Sequence, residues 1–232
     1  MRISDMTWME VEAYLEVDDR CVIPLGSTEQ HAYLSLSVDH ILSERVAVEA
    51  AEAPGIPVFP GLPYGVTPYF MAYPGTVSLT PGAYERILAD ILGSVEKHGF
   101  RRIAVVNGHG GNREARPAAL RWADEHAVEV LWHDWWSAPR TMAAVKEIDP
   151  DASHASWMEG FPWTRVEGAR PPDGHKPAVD LSDRARLSPA QLRERLGDGS
   201  FGGYWERPDE ELLAVWAVAV EETRERLEEG WS

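Results

Sequence analysis

The stretch Arg102–Asn112 reads RIAVVNGHGGN. Five residues, Arg102 to Val106, read as a strand whose apolar core, IAVV, is of the kind buried on both faces of a parallel sheet. A polar, glycine-rich turn follows at once, and a helix is expected from about Arg113 to His126. The same order recurs on either side. Cys21–Leu25 (CVIPL) is a second apolar run, followed by GSTEQH and then a helix over Asp39–Ala53 that stops at Pro54-Gly55. Val128–Trp132 is a third, running into HDWW. Further strands are expected at residues 56–59 and 77–79. Helices are expected over Trp8–Glu16 behind a Thr7 N-cap, from Thr80-Pro81 to His98 with Gly99 at its end, and near 138–147, 188–196 and 209–229. Strands alternating with helices predict one α/β domain over residues 1–232, with a mainly parallel sheet flanked by helices on both faces. Ligands bind such sheets beyond the carboxyl ends of the strands, where GSTEQH, NGHGGN and HDWW fall. Residues 60–76, turn-rich and aromatic, read as a loop lying over that site, and residues 160–187 read as loop.

Length and composition narrow the function. The chain has 232 residues, 22 of them Lys or Arg and 38 Asp or Glu, for a formal net charge of −16. That surface repels phosphate backbones and anionic lipid, so neither nucleic acid nor a membrane surface is an expected partner. A bound metal would still let it take a small anion. A lone cysteine, Cys21, excludes an intrachain disulfide and reads as a buried, inert thiol. The acidic N-terminus is unlike a signal peptide and no apolar run reaches the ~20 residues that span a bilayer. The expected setting is the cytoplasm.

Three segments offer chemistry. Glu29 and His31 are two apart and can face one pocket, with Asp39 eight residues beyond His31 at a helix start that favours an ionised carboxylate. Carboxylates with imidazole suit zinc, manganese or iron. The plain alternative is two loop residues and a helix cap. His109 stands among three glycines that let the backbone turn off the sheet. That turn lacks the Lys-Ser/Thr of a phosphate-binding loop, and a histidine there can be merely structural. His154 and Glu159 flank a third segment, HASWMEG, where Glu159 could instead pair with Arg165.

Taken in order, PLGSTEQH, VDH, YPGTVSL, VNGHGGN and HASWMEG resemble the creatininase (creatinine amidohydrolase) family over about Thr7 to Glu159. The resemblance implies a parallel-sheet α/β fold and two divalent metal ions per chain. Glu29, Asp39 and His109 would hold one ion, and His31, Asp39 and Glu159 the other, with Asp39 bridging. It also makes His154 the catalytic proton shuttle and implies a homo-oligomer, a hexamer. Departures are plain. AYLSLSVD replaces GPHLPLxxD and is one residue shorter, Gly160-Phe161 stands where Thr-Ser is usual, and Gly111 stands where creatininase proper has a glutamate. These turn the expectation away from creatinine itself.

The activity expected is metal-dependent hydrolysis of a C–N bond in a small polar amide, for choice a cyclic one. The competing readings are a ring-opening hydrolase of a keto-cyclitol or lactone, and a catalytically silent metal-binding assembly protein. Ten tryptophans colour the substrate question. Trp135, Trp136, Trp157 and Trp163, with Tyr64, Tyr69, Phe70 and Tyr73, fall in or beside the site loops, where aromatic faces suit a ring. Packing of the core or an interface is the equal alternative.

Overall fold

In the computed structural model, which describes residues 1–231, the three apolar runs become β1 (Arg20–Leu25), β2 (Arg102–Asn107) and β3 (Glu129–Asp134), all parallel and in the order β1-β2-β3. Their side chains alternate between two apolar layers, as a pleated strand dictates. Val22, Ala104, Val106 and Leu131 pack with α2 (Val38–Glu52), α5 (Pro139–Ile148) and α7 (Asp209–Glu229). Cys21, Ile23, Leu25, Ile103, Val105, Val130 and Trp132 pack with α1 (Trp8–Leu15), α3 (Pro81–His98) and α4 (Arg116–His126) on the other side. Helices therefore cover both faces of the sheet. Cys21 is fully buried as a free thiol.

Local signals place the helix ends. Thr7 caps α1 in a reciprocal box with Glu10. Thr80 caps α3, Pro81 opens it, and Gly99 closes it in the left-handed region at φ +114°. Helix α4 starts at Arg116, because Gly110–Ala115 first make a 3-10 turn.

Two expected strands do not form as such. Residues 57–62 run parallel beside β1, with hydrogen bonds from Val22 N to Pro57 O (3.0 Å) and from Phe59 N to Val22 O (2.9 Å). Pro57 and Pro60 each lack an N–H, so this edge makes only isolated bridges. Val77 and Ser78 likewise make single bridges, to Thr28 and Gly65. Conversely, the loop expected over 160–187 contains β4 (His175–Lys176), which pairs antiparallel with β5 (Gly203–Tyr204). This segment and α6 (Pro189–Leu196) pack Leu192 and Leu196 on Phe70 and Tyr73, so it roofs the 60–76 loop.

Register decides where the site lies. Leu25 pairs with Asn107 and Asn107 with Asp134, so all three strands end level and release their polar loops at one edge. No helix of the described residues is long and apolar enough to cross a membrane.

One core histidine gives a stability test. His133 on β3 is buried, and its Nε2–H donates to Thr223 Oγ1 of α7 at 3.1 Å. Burial, with help from the nearby Arg226 charge, pushes its pKa from 6.5 down to about 4. Between those values the unfolded chain binds the extra proton, so His133 makes stability rise with pH in that window. The contribution is complete above pH 6.5 and lost as pH falls toward 4, for up to roughly 3 kcal/mol. Urea unfolding of His133→Asn between pH 4 and 7 is expected to show a flatter pH dependence than the parent chain. Identical slopes would contradict this.

Candidate metal centre

At the level strand ends, the segment after β1 delivers Glu29 and His31, the first turn of α2 delivers Asp39, and the turn after β2 delivers His109. A 3-10 turn over Trp157–Glu159 brings in Glu159. The structure draws all five together. Asp39 lies at the centre with its two oxygens divided: Oδ1 is 3.1 Å from His31 Nε2, and Oδ2 is 2.9 Å from His109 Nδ1. Glu29 Oε1 lies 3.5 Å from His109 Nδ1, and Glu159 Oε2 lies 3.8 Å from His31 Nε2. Two groups thus share Asp39, Glu29–Asp39–His109 and His31–Asp39–Glu159, each with its ligand atoms within 4.8 Å of one another.

Each imidazole is held from behind. His109 Nε2–H donates to Val66 O at 3.0 Å, and His31 Nδ1–H donates to Glu29 O at 3.2 Å. These bonds leave the opposite nitrogen facing the carboxylates, the usual second support of a ligating histidine. Ser27 Oγ donates to Asp39 Oδ2 at 2.8 Å, and Ala155 N donates to Glu159 Oε2 at 2.6 Å. Ala155 reaches that position with φ +58°.

The glycines of NGHGGN serve close backbone approach rather than a phosphate cradle. A Cβ on Gly108 would lie 2.6 Å from Asp39 O, and one on Gly111 would lie 1.9 Å from Val66 O. No side chain fits at 111 in this backbone, so the glutamate of creatininase proper has no counterpart there. The flanking asparagines fasten the loops. Asn107 Nδ2 donates to His109 O (2.8 Å) and Asp134 Oδ1 (2.7 Å), and Asn112 Nδ2 donates to Gly26 O (3.0 Å). Sequence reasoning passed over both asparagines and Ser27, because an amide or hydroxyl beside a ligand has no signature of its own. Arg165 does not pair with Glu159; it bonds Gly160 O and Asp209.

The charges strain toward a cation. Burial raises Glu159 to about 7 and also raises Glu29, with the neighbouring Asp39 charge adding to both. Burial works against the imidazolium of His31, yet the Asp39 and Glu159 charges outweigh it and lift the ring to about 10. For His109 the opposing burial is overcome by Glu29 and Asp39, giving about 9. Burial opposes the Asp39 anion, but those two imidazoles hold it well below the ordinary range. Glu29 Oε2 is buried with no hydrogen-bond partner among the described residues, a costly condition for a carboxylate oxygen. The donor set and this orphan atom fit divalent cations.

His154 stands against the cluster, its ring 4.5 Å from that of His31 and its Nδ1 3.8 Å from Glu29 Oε1. Phe70 stacks on it at 4.9 Å and Phe201 tilts onto it at 4.8 Å. Burial and the His31 charge push its pKa well below 6.5, so the ring is neutral. Gln30 addresses its Nε2 twice, as a donor through its side-chain amide (2.9 Å) and as an acceptor through its backbone carbonyl (3.1 Å). The whole assembly opens into a cavity of about 450 Å³. Of the eight aromatics singled out, Tyr69, Phe70 and Trp136 line it. Trp135, Trp157 and Trp163 belong to the core layer, with Trp135 and Trp163 packed on Trp216, Tyr73 packs behind Phe70, and Tyr64 is exposed.

A parallel α/β sheet gathering buried carboxylates and imidazoles at one edge defines a metal-binding α/β protein. The chain belongs to the creatininase family, whose model, described as creatinine amidohydrolase, matches residues 4–160. Among curated relatives it is 29% identical over 164 residues to a creatinine amidohydrolase of Pseudomonas putida, covering 64% of this chain and 63% of that one. It is 35% identical over 140 residues to a mycofactocin precursor peptide peptidase of Mycolicibacterium smegmatis (57% and 53%). A 3-dehydro-scyllo-inosose hydrolase of Thermotoga maritima is 33% identical over 165 residues (66% and 53%). The matched regions thus span between about half and 63% of these relatives. A manganese creatininase structure superposes with a TM-score of 0.77 at 22% identity, covering 99% of this chain and 98% of that one. A creatininase variant of Zn–Zn type gives 0.76 at 22%, with the same coverage. These structures share the fold.

Proposed function

We propose that this chain is a dinuclear-metal amidohydrolase that cleaves a C–N bond in a small polar amide, most naturally a ring. The observation that carries the reading is Asp39, whose two oxygens each face a separate imidazole–carboxylate group at the cavity floor. In this reading Glu29, Asp39 and His109 hold one divalent ion and His31, Asp39 and Glu159 the other, as zinc, manganese or iron. Bound there, the ions supply Lewis acidity toward a carbonyl and lower the pKa of water toward neutrality.

The chain's own residues do the rest. His31 and His109 must surrender the protons their carboxylate neighbours attract before they can ligate, so metal uptake releases protons. His154 holds a proton at one ring nitrogen and accepts at the other, and Gln30 can partner Nε2 in either state. It is therefore built to take a proton from the attacking water at its other nitrogen, Nδ1, and pass it to the departing nitrogen, acting as base and then as acid. Phe70 and Phe201 keep bulk water off that ring, and the Trp136 and Tyr69 faces offer a flat wall for a cyclic substrate.

Exhaustive chelation, assayed on lactams, hydantoin-like rings and lactones, is expected to abolish turnover, and added Mn²⁺ or Zn²⁺ to restore it. Activity that survives complete metal removal would overturn the proposal. The similarity to an inosose hydrolase favours one second reading, ring opening of a keto-cyclitol by the same groups. Turnover confined to such ketones or to lactones would select it. Absence of turnover on every compound in the metal-loaded protein would leave a silent metal-binding assembly protein. Assembly as a homo-oligomer, a hexamer, is part of the same proposal.

A further inference from the structure

The cavity has one basic group whose charge no other side chain answers. Arg184, on a 3-10 turn over Arg184–Arg186, lines the same cavity as Glu29, Asp39 and His154. Its guanidinium lies over the Tyr69 ring, 5.0 Å from the centroid, and has no hydrogen-bond or ion-pair partner among the described residues. Its nearest acidic neighbour in the chain is engaged elsewhere, since Asp183 pairs with Arg195. The other arginine of the cavity, Arg113, is committed to Asp134 Oδ2 at 2.9 Å and to Ser137. In a chain with 38 acidic and 22 basic residues, a guanidinium left without an anion beside a site is a recognition element in waiting.

It is linked to the reacting end through packed aromatic rings. Three ring contacts connect the two: His154 to Phe70 at 4.9 Å, Phe70 to Tyr69 at 4.8 Å, and Tyr69 to Arg184 at 5.0 Å. Phe70, which shields His154, thus also packs on the tyrosine that seats the cation. A single free guanidinium matches a single negative charge in planar, two-point fashion. A phosphate dianion would call for a second free cation, which Arg113 does not supply.

We infer that Arg184 is a specificity residue that binds a carboxylate on the substrate, at the end remote from the scissile amide, so that the substrate class is a small amide bearing a free carboxylate. This deepens the proposed hydrolase function and rests on it.

The test uses manganese-loaded protein and binding rather than turnover. The probes are short ω-carboxy alkyl hydroxamates of graded length, whose hydroxamate would seat on the metal end, and their neutral ω-carboxamide counterparts. Calorimetry is expected to show the carboxylate binding about five- to tenfold tighter than the carboxamide at the best length. In Arg184→Gln that preference is expected to vanish while the carboxamide affinity stays within twofold, and Arg184→Lys to retain part of it. The side chain is exposed, so the variants are expected to keep the parent's thermal unfolding midpoint. Equal affinity for the two probes in the parent chain, or a preference that survives in Arg184→Gln, would overturn the assignment. So would loss of the preference only in Arg113→Gln, or tighter binding of an ω-phosphonate. Failure of the metal reading is distinguishable: there the carboxamide would bind equally well before and after chelation.

Discussion

An Asp39→Ala variant is expected to lose both metal ions together and at least about a thousandfold of its hydrolytic rate. The size follows from two facts. Lewis-acid stabilisation is worth several kcal/mol, and each ~1.4 kcal/mol is tenfold in rate. The simultaneity follows from the geometry, because Asp39 faces His31 with one oxygen and His109 with the other. His109→Ala, by contrast, is expected to weaken chiefly the group it shares with Glu29, leaving His31, Asp39 and Glu159 in place. The metal content of each purified variant, read by elemental analysis, distinguishes them. An Asp39→Ala protein that keeps one ion at full affinity would show that the two groups do not depend on a shared carboxylate.

His154→Gln is expected to lower kcat by about 10²- to 10⁴-fold, the range for removing a positioned proton donor. KM and metal content are expected to change little. This combination matters because His154 Nδ1 also lies within reach of Glu29 and His31, as a third possible ligand group. If the variant instead loses metal in proportion to activity, His154 holds an ion rather than a proton. Its two-sided contact with Gln30 at Nε2 supports the proton role.

Much of this architecture was legible in the sequence, for physical reasons that differ by element. The strands at 20–25, 102–107 and 129–134 were readable because a strand buried on both faces must be almost wholly apolar. The start of α7 at Asp209 was readable from the Pro208-Asp-Glu-Glu that opens it. Residues 56–59 misled because their apolar character reports burial while the prolines leave only isolated bridges, and at 77–79 Val77 is exposed and only single bridges form. The tryptophans were ambiguous for a related reason: an indole buried against Trp216 and one lining a cavity look alike in sequence, and only Trp136 of the four faces the cavity. The five clustered side chains could be nominated from three separate segments, but only the level strand ends explain why they meet. Arg184 was invisible at that stage. It lies far from every motif in a segment that reads as loop, and its interest arises from what it touches and from the partner it lacks.

Whether Asp39 joins two ions is read most directly by anomalous diffraction from crystals of the protein loaded with Mn²⁺ or Zn²⁺, with data collected on either side of the metal edge. Two anomalous peaks per chain are expected, one contacting Glu29, Asp39 and His109 and the other His31, Asp39 and Glu159. A single peak, or peaks seated away from Asp39, would contradict it.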